Sequence, residues 1–474
     1  MGVVGSSSLV VASNRGPLAI VPVEDGDDQV RRGGGGLVSG VQAAMLDEPG
    51  ALWVCAALND AERALARRST DGRLSGISEL AGSLRAGLDV RMLPVDPVTF
   101  RSAYNGIANS TLWFVLHMLY DLSRAPSFDA SWRRKWAAYK RYNDEFAHAI
   151  ADEAAVGARV VLQDYHLFLA PAVLRALRPD LRIAHFTHIP WVPPEYFSIL
   201  PDDVGHDLLR GMLGADLLGF HTSRWADDFS RCCAALVDTE PAQVRVFPLG
   251  SDATDLTARA SRRDVESRLL DLDRSVGDLL VIGRVDRTEP SKNVWRGLLS
   301  YRELLRTHAE WRGRVVHVVF DNPSREDLPE YREYAAALDR LARDIDDEFA
   351  TDSWTPLILE IIDDYPAALA LLRRSDVLFI NSLRDGMNLV ALEGVILSER
   401  HPAVVISRDT GAAHTLGPDA FSVNPYDVSA QSEALHAALS LPSDERAARA
   451  ARMRIAATRL PPAEWFHAQL EALG

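Results

Sequence analysis

Short apolar runs that stop at a polar turn and hand over to an amphipathic segment recur along the whole sequence, and this alternation limits the folds open to it. Residues 9–13 stop at Asn14-Arg15-Gly16-Pro17, and residues 160–162 at Gln163-Asp164-Tyr165-His166. Residues 183–187 stop at His188-Ile189-Pro190, 217–220 at His221-Thr222, and 244–247 at Pro248-Leu249-Gly250. Residues 51–56 and 90–93 read as two more strands. A polar, charged stretch at 250–277 reads as a boundary, after which the pattern restarts at 279–285, 315–320, 357–362, 377–380 and 403–406. Continuous apolar runs of this length suit strands buried on both faces, hence parallel sheets with helical crossovers. The expected fold class is α/β. A length of 474 residues suffices for two domains. We read them as Rossmann-like domains at 1–252 and 253–460, facing across a cleft. A C-terminal helix at 461–474 is placed to pack back on the first.

Composition excludes several classes. A net charge of −15 argues against a general nucleic-acid or membrane-surface role, so any phosphate site must be a local basic pocket. Three cysteines, Cys55 and the adjacent Cys232 and Cys233, do not make a disulfide framework, and a reducing cytoplasm fits. No apolar run approaches the ~20 residues of a membrane span, and the N-terminus does not read as a signal peptide. Only Lys135, Lys140 and Lys292 among the 51 basic residues are lysine, and Lys292 lies in a loop beside arginines.

The stretch Arg384-Asp385-Gly386-Met387-Asn388-Leu389-Val390 to Glu393 concentrates the chemistry. An apolar strand, a polar turn with one glycine and an apolar helix form the unit that binds ligands at the carboxyl end of a parallel sheet. Backbone N–H groups opening such a helix suit a diphosphate. Glu393, one turn in, can accept from ribose hydroxyls. Arg31-Arg32 and four glycines, Gly33 to Gly36, open a further apolar segment and make an anion-binding nest. Arg287 and Lys292, five residues apart after the first strand of the second domain, are the cations a leaving diphosphate needs. Solvated charges, linkers and core histidines are the bland alternatives at each position. Several polar strand ends on one rim shift the balance, because Arg15, Asp164, His188 and His221 then converge. Along the chain no His/Cys/Asp cluster has metal-ligand spacing, and no P-loop, nucleophile elbow or HExxH occurs.

Taken together the residues resemble the trehalose-6-phosphate synthases, retaining glycosyltransferases of the GT-B fold. The resemblance runs along nearly the whole chain. It rests on Ser13-Asn14-Arg15, Gly35-Gly36-Leu37, Tyr104-Asn105-Gly106 with Trp113, Asp164-Tyr165-His166, His188-Ile189-Pro190 and Gly219-Phe220-His221-Thr222. Val285-Asp286-Arg287 with Lys292, Ser324-Arg325, and Arg384 to Leu389 with Glu393 complete it. It implies transfer of glucose, with retention, from UDP- or GDP-glucose to glucose 6-phosphate. Arg15, Tyr104, Trp113, Asp164 and Arg325 would hold the acceptor. Gly35, Gly36, Arg287, Lys292, Tyr365, Met387, Asn388, Leu389, Val390 and Glu393 would hold the donor, partly through backbone groups. Arg287, Lys292, His188 and Asp385 would carry the catalytic step. The resemblance implies no metal, no cofactor beyond the nucleotide-sugar co-substrate and no covalent glycosyl-enzyme, because the acceptor attacks on the face the leaving group departs from. A cytoplasmic enzyme, a separate trehalose-phosphate phosphatase downstream and an assembly left open between monomer and homo-oligomer complete the expectation.

Departures from that pattern are Gln163 for histidine, Cys55-Ala56 for Gly-Trp, Thr288-Glu289-Pro290 for Leu-Asp-Tyr and Asn293 for glycine. They leave the base of the donor and the identity of the acceptor open. Rival readings are a relative that joins a cyclitol to an amino-cyclitol phosphate or glucosylates glycerol phosphate, a non-catalytic sugar-phosphate sensor, and a nucleotide-sugar epimerase. A glycosidase-like pair of Asp164 and Asp385 is a weaker alternative.

Overall fold

The computed structural model describes residues 5–21, 29–32, 38, 41–42, 45, 48, 50–74 and 89–474. The chain forms two compact units. One comprises the chain up to Leu249 together with Pro462–Gly474, and the other is Gly250–Pro461.

In the first unit the strands are β1 (Ser7–Ser13), β2 (Leu18–Val21), β3 (Gln29–Arg32), β4 (Leu52–Ala56), β5 (Arg73–Leu74), β6 (Asp89–Leu93), β7 (Ala154–Gln163), β8 (Arg182–Thr187), β9 (Leu217–Phe220) and β10 (Val244–Val246). Eight of them form one sheet in the order β10-β9-β8-β7-β1-β4-β6-β5. All pairs are parallel except the short β5 edge on β6. Val10, Val11 and Ala12 of β1 are fully buried, as a strand covered on both faces requires. The stripe Trp136, Tyr139, Asn143, Phe146 and Ile150 is buried along the helix Ala130–Glu153. β2 and β3 pair antiparallel as a hairpin, and the acidic segment between them lies outside the described residues. Tyr104–Leu112 winds as a π-helix that continues into Trp113–Leu116.

The second unit has β11 (Leu280–Arg287), β12 (Val315–Asn322), β13 (Leu357–Ile361), β14 (Val377–Ile380), β15 (Ala403–Ser407) and β16 (Phe421–Val423). Their order is β13-β12-β11-β14-β15-β16, with all neighbouring strands parallel. Numbered within the unit this is 3-2-1-4-5-6, the dinucleotide-binding order. Its direction of winding reverses between β11 and β14. Side chains alternate across the sheet. Val377, Phe379 and Val405 face one core, and Leu378, Ile380, Val404 and Ile406 face the other. The first unit repeats the rule, because its order reverses between β1 and β7. Ligands bind at such reversals, beyond the carboxyl ends of the strands. The turns after β1, β7, β11 and β14 are therefore where a site belongs, and each of them carries residues singled out from the sequence.

Candidate active site

In the first unit the turn after β1 is built on buried polar bonds. Trp53 Nε1 donates to Ser13 Oγ at 2.8 Å, Ser13 Oγ donates to the Arg15 carbonyl, and Tyr142 donates to Asn14 Oδ1 at 2.7 Å. Arg15 itself is exposed. Cys55 is fully buried beneath this turn, and its sulfur lies 2.5 Å from where a side chain on Gly16 would begin. Burial also pushes its thiol well above the usual range. Cys55 therefore acts on a ligand only through the turn it supports.

Asp164, after β7, holds a φ of 71°, a left-handed conformation that costs a non-glycine residue energy and clusters at functional sites. Its Oδ1 accepts from the His188 backbone N–H at 3.1 Å. His188 Nε2 meets Gln163 Oε1 at 2.7 Å, so the amide carbonyl accepts from Nε2–H and fixes the tautomer. Burial, with His221 adding to it, holds the His188 imidazole well below its usual range, so it is neutral at pH 7. Its ring centroid lies 5.2 Å from that of His221 and 5.6 Å from that of Trp465. Tyr104 stacks on His166 at 5.5 Å, and the buried Trp113 stacks on His117 at 3.9 Å. Gly35 and Gly36 lie outside the described residues.

In the second unit the turns after β11 and β14 meet. Lys292 Nζ lies 2.6 Å from Asp385 Oδ2 and 3.6 Å from Asp286 Oδ1, and its side chain is 13% exposed. Burial opposes the ammonium charge, but Asp385 and Asp286 outweigh it, so Lys292 sits above the usual lysine range. Asp385 also accepts from Asn388 Nδ2 at 3.0 Å. Asn388 has φ 65° and caps the helix Leu389–Leu397, its Oδ1 accepting from Ala391 N–H at 3.2 Å. The first-turn N–H groups of that helix have no intrahelical acceptors, which suits an anion. Met387 is buried in the core, so only its backbone can serve a ligand. Glu393 is half-buried. Desolvation raises its carboxyl above the usual range, against a hydrogen bond from Ser251. Tyr365 is 45% exposed at the start of the helix Tyr365–Arg374, after β13.

Sequence reasoning missed three carboxylates here. Glu289 is fully buried and joins the two candidate arginines. It pairs with Arg287 at 2.6 Å and Arg325 at 3.8 Å, and accepts from Ser324 Oγ at 2.7 Å. Burial alone would raise it, but Arg287 and Arg325 hold it down at about 2. Asp286 pairs with the buried Arg284 at 2.9 Å. Asp321 stands opposite Asp286 in the β11–β12 register, fully buried, and neither of its oxygens has a hydrogen-bond partner among the described residues. Burial, reinforced by Asp286, pushes it up to about 7. In sequence all three looked like loop or strand-end charges. Glu289 was legible only as a departure, because its partners arrive from 35 residues further on.

The Asn293 departure also has a structural reason. Its φ is 60°, where glycine is at ease and asparagine is the best substitute. Its amide nitrogen donates to the carbonyls of Asn381 at 2.9 Å and Pro425 at 2.7 Å. Asn293 is thus spent within the fold and does not speak to the donor base. The carboxylates Asp164 and Asp385 are each engaged as well, by the His188 N–H and by Lys292.

The turn after β14 leans on a second helix. Ala412 N–H donates to the Met387 carbonyl at 2.7 Å, and a side chain on Gly411 would begin 2.2 Å from the Gly386 carbonyl oxygen. That contact is with backbone, so the turn itself must move. We expect Gly411→Ala to lower activity about 10- to 100-fold through misplacement of residues 386–387. It should also lower the melting temperature, as overpacking does. Donor KM, kcat and a thermal melt check this.

Two parallel sheets, each with polar side chains gathered at its reversal point, define the class as a GT-B glycosyltransferase. More narrowly, the chain belongs to glycosyltransferase family 20, which it matches over residues 7–474. It is 31% identical over 464 residues to the bifunctional trehalose-6-phosphate synthase/phosphatase of Thermoproteus tenax, an overlap covering 94% of this chain and 60% of that protein. The chain thus spans less than two thirds of that relative's length. It is also 31% identical to validamine 7-phosphate valienyltransferase of Streptomyces hygroscopicus subsp. jinggangensis, covering 93% of this chain and 88% of that one. Among solved structures, the trehalose-6-phosphate structure from E. coli bound with UDP-2-fluoro glucose superposes with a TM-score of 0.84. The identity is 26% and the overlap covers 98% of each chain. Among the described residues no helix is long and apolar enough to cross a membrane.

Proposed function

We propose that this enzyme transfers glucose, with retention, from a nucleoside diphosphate glucose to glucose 6-phosphate, forming trehalose 6-phosphate. The observation that carries the reading is the charge cluster at the β11/β14 reversal. There Arg287 and Lys292 stand beside a helix N-terminus, with Glu393 one turn further in. That is the equipment for a nucleoside diphosphate, with cations where negative charge grows as the glycosidic bond breaks. Family membership and the synthase activity named for the Thermoproteus relative support the same reading.

Lys292 pairs with Asp385 in the structure. Donor entry exchanges this pair. The diphosphate takes Lys292, and the freed Asp385 carboxylate accepts from hydroxyls of the transferred glucose. Neutral His188, its tautomer fixed by Gln163, presents a hydrogen-bonding group to the same sugar. Arg15 and Arg325 serve the phosphate of the acceptor, with Tyr104, Trp113 and Asp164 at its sugar. Arg287 is held off its ligand by Glu289 until the diphosphate competes for it. The acceptor hydroxyl attacks on the leaving-group side, and its proton passes to the departing diphosphate. The enzyme works in the cytoplasm, and dephosphorylation of the product falls to a phosphatase activity.

The valienyltransferase relative, as similar in identity as the synthase, favours one second reading, an amino-cyclitol phosphate acceptor. The deciding test is nucleoside diphosphate release from UDP-glucose and GDP-glucose, with EDTA present and with glucose 6-phosphate, glycerol 3-phosphate or an amino-cyclitol phosphate as acceptor. Release that depends on glucose 6-phosphate is the expected result. Faster turnover with another acceptor, or release with none, would overturn it.

A further inference from the structure

At the opposite edge of the second unit's sheet, three metal-binding side chains meet that no spacing along the chain reveals. The helix Val294–Thr307 runs back from the carboxyl ends of the strands, so the turn that follows it lies at their amino ends, just before β12. That turn carries His308 and Glu310. His436 comes from the helix Val428–Leu439, 126 residues further along. One ligand atom from each of the three lies within 4.8 Å of the others. His308 Nδ1 is 3.6 Å, and His436 Nδ1 3.9 Å, from the same oxygen, Glu310 Oε1.

The hydrogen bonding decides what these atoms offer. His308 Nε2 lies 3.0 Å from Glu433 Oε1, so Nε2–H donates to that carboxylate and Nδ1 is left with its lone pair. A carboxylate behind a histidine is the arrangement that orients metal-binding imidazoles and raises their basicity. His436 Nδ1 is also an acceptor, because Trp311 Nε1–H donates to it at 3.0 Å. His308 Nδ1 and Glu310 Oε1 thus bring two electron pairs together, an approach that a cation between them relieves, while the His436 Nδ1 lone pair is turned to Trp311. Ligand atoms about 2.0–2.1 Å from a tetrahedral ion lie about 3.3 Å apart, a few tenths of an ångström closer than the 3.6 and 3.9 Å between each histidine and Glu310.

We propose that His308, Glu310 and His436 bind a divalent transition-metal ion, with zinc as the occupant and Glu433 orienting His308. Two imidazoles and one carboxylate suit zinc and its neighbours, whereas magnesium and calcium prefer oxygen throughout. The two rings are stacked at 3.8 Å and 9°, so both cannot aim a lone pair at one ion as they stand. On loading, the His436 ring turns about its soft χ2 torsion and gives up the Trp311 bond. Glu310 is exposed and both histidines are half-buried, so the ion enters from solvent and keeps water in its remaining positions. Bound there, it clips the turn before β12 to the helix Val428–Leu439 and takes no part in glycosyl transfer.

The test is calorimetric titration of zinc into EDTA-stripped protein, with cobalt as a spectroscopic probe. One saturable equivalent is expected, with the visible bands of four- or five-coordinate cobalt and a higher melting temperature that EDTA reverses. His436→Ala should weaken binding at least tenfold. Glu310→Gln, at an exposed position where folding is not at stake, should do likewise. Absence of saturable binding, which would mean that protons alone fill the cluster, overturns the proposal, as does a zinc affinity in both variants unchanged from that of the wild type. Transfer activity is read separately, so neither result depends on the donor or acceptor assignment.

Discussion

Lys292→Met is expected to lower kcat for glucosyl transfer by about 10²- to 10³-fold, the usual cost of removing one charge that stabilises a leaving oxygen. The argument is positional. Lys292 follows the first strand of a sheet whose order reverses beside it, and its ammonium is held charged by Asp385 and Asp286 in a pocket that leaves it 13% exposed. Charge placed there in advance needs no reorganisation when the bond to the diphosphate breaks. Methionine fills the volume without the charge. Asp385 keeps Asn388 and Ser382 as donors and Asp286 keeps Arg284, so the variant has the means to fold. A thermal melt checks that it does. The kinetic pattern then separates two roles. A fall in kcat places the lysine at the transition state, while a higher donor KM with kcat unchanged reduces it to ground-state binding. An unchanged kcat/KM would remove Lys292 from the mechanism.

What could be read beforehand and what could not divide along physical lines. The run 377–380 and the turn after it were legible because strand, turn and helix each leave a local trace. These are a continuous apolar run, then a polar turn with one glycine and an asparagine at φ 65°, then an apolar helix. The structure gives β14 the same limits and starts the helix at Leu389, capped by Asn388. The polar strand ends were legible for the same reason. The helix through Tyr104 was not legible, because a π-helix has no periodicity of its own in so short a stretch. The hairpin of β2 and β3 went unread although the sequence between its strands holds Asp25-Gly26, because Gln29–Arg32 carries no apolar run to mark the second strand. Glu289 was unreadable in a different way. A carboxylate flanked by arginines looks like a solvated charge until Ser324 and Arg325 arrive from another strand end and bury it. Pairings between distant segments belong to topology. The histidines 308 and 436 and the acids 286 and 321 meet only once the strand order is known.

Asp321→Asn is expected to stabilise the protein at pH 8 and to lose that advantage as the pH falls toward 4. An unfolded aspartate titrates near its ordinary 3.8, whereas in the fold burial and Asp286 push Asp321 up to about 7. Between these values the native state holds a proton that the unfolded chain has released, so native stability falls as pH rises and levels off above about 7. The gap of about three units sets an upper bound of ~4 kcal/mol on what ionised Asp321 costs, of which partial relaxation will recover some. Asparagine keeps the shape of the protonated acid and cannot ionise. Any cost of its buried amide is the same at every pH, so the informative quantity is the slope of the wild-type-to-variant difference between pH 4 and pH 7. That slope should approach one proton, about 1.4 kcal/mol per pH unit. Melts or denaturant titrations at pH 5, 6.5 and 8 would show it, and a difference that does not change with pH would mean that Asp321 titrates elsewhere. The same acid bears on the proposed chemistry. Arg284 and Lys292 favour its charge while Asp286 and burial oppose it. A diphosphate drawing on Lys292 would weaken the favourable side and bring a further negative charge near. Donor binding should then be accompanied by proton uptake near pH 7, an uptake that Asp321→Asn abolishes without removing any cation from the diphosphate site.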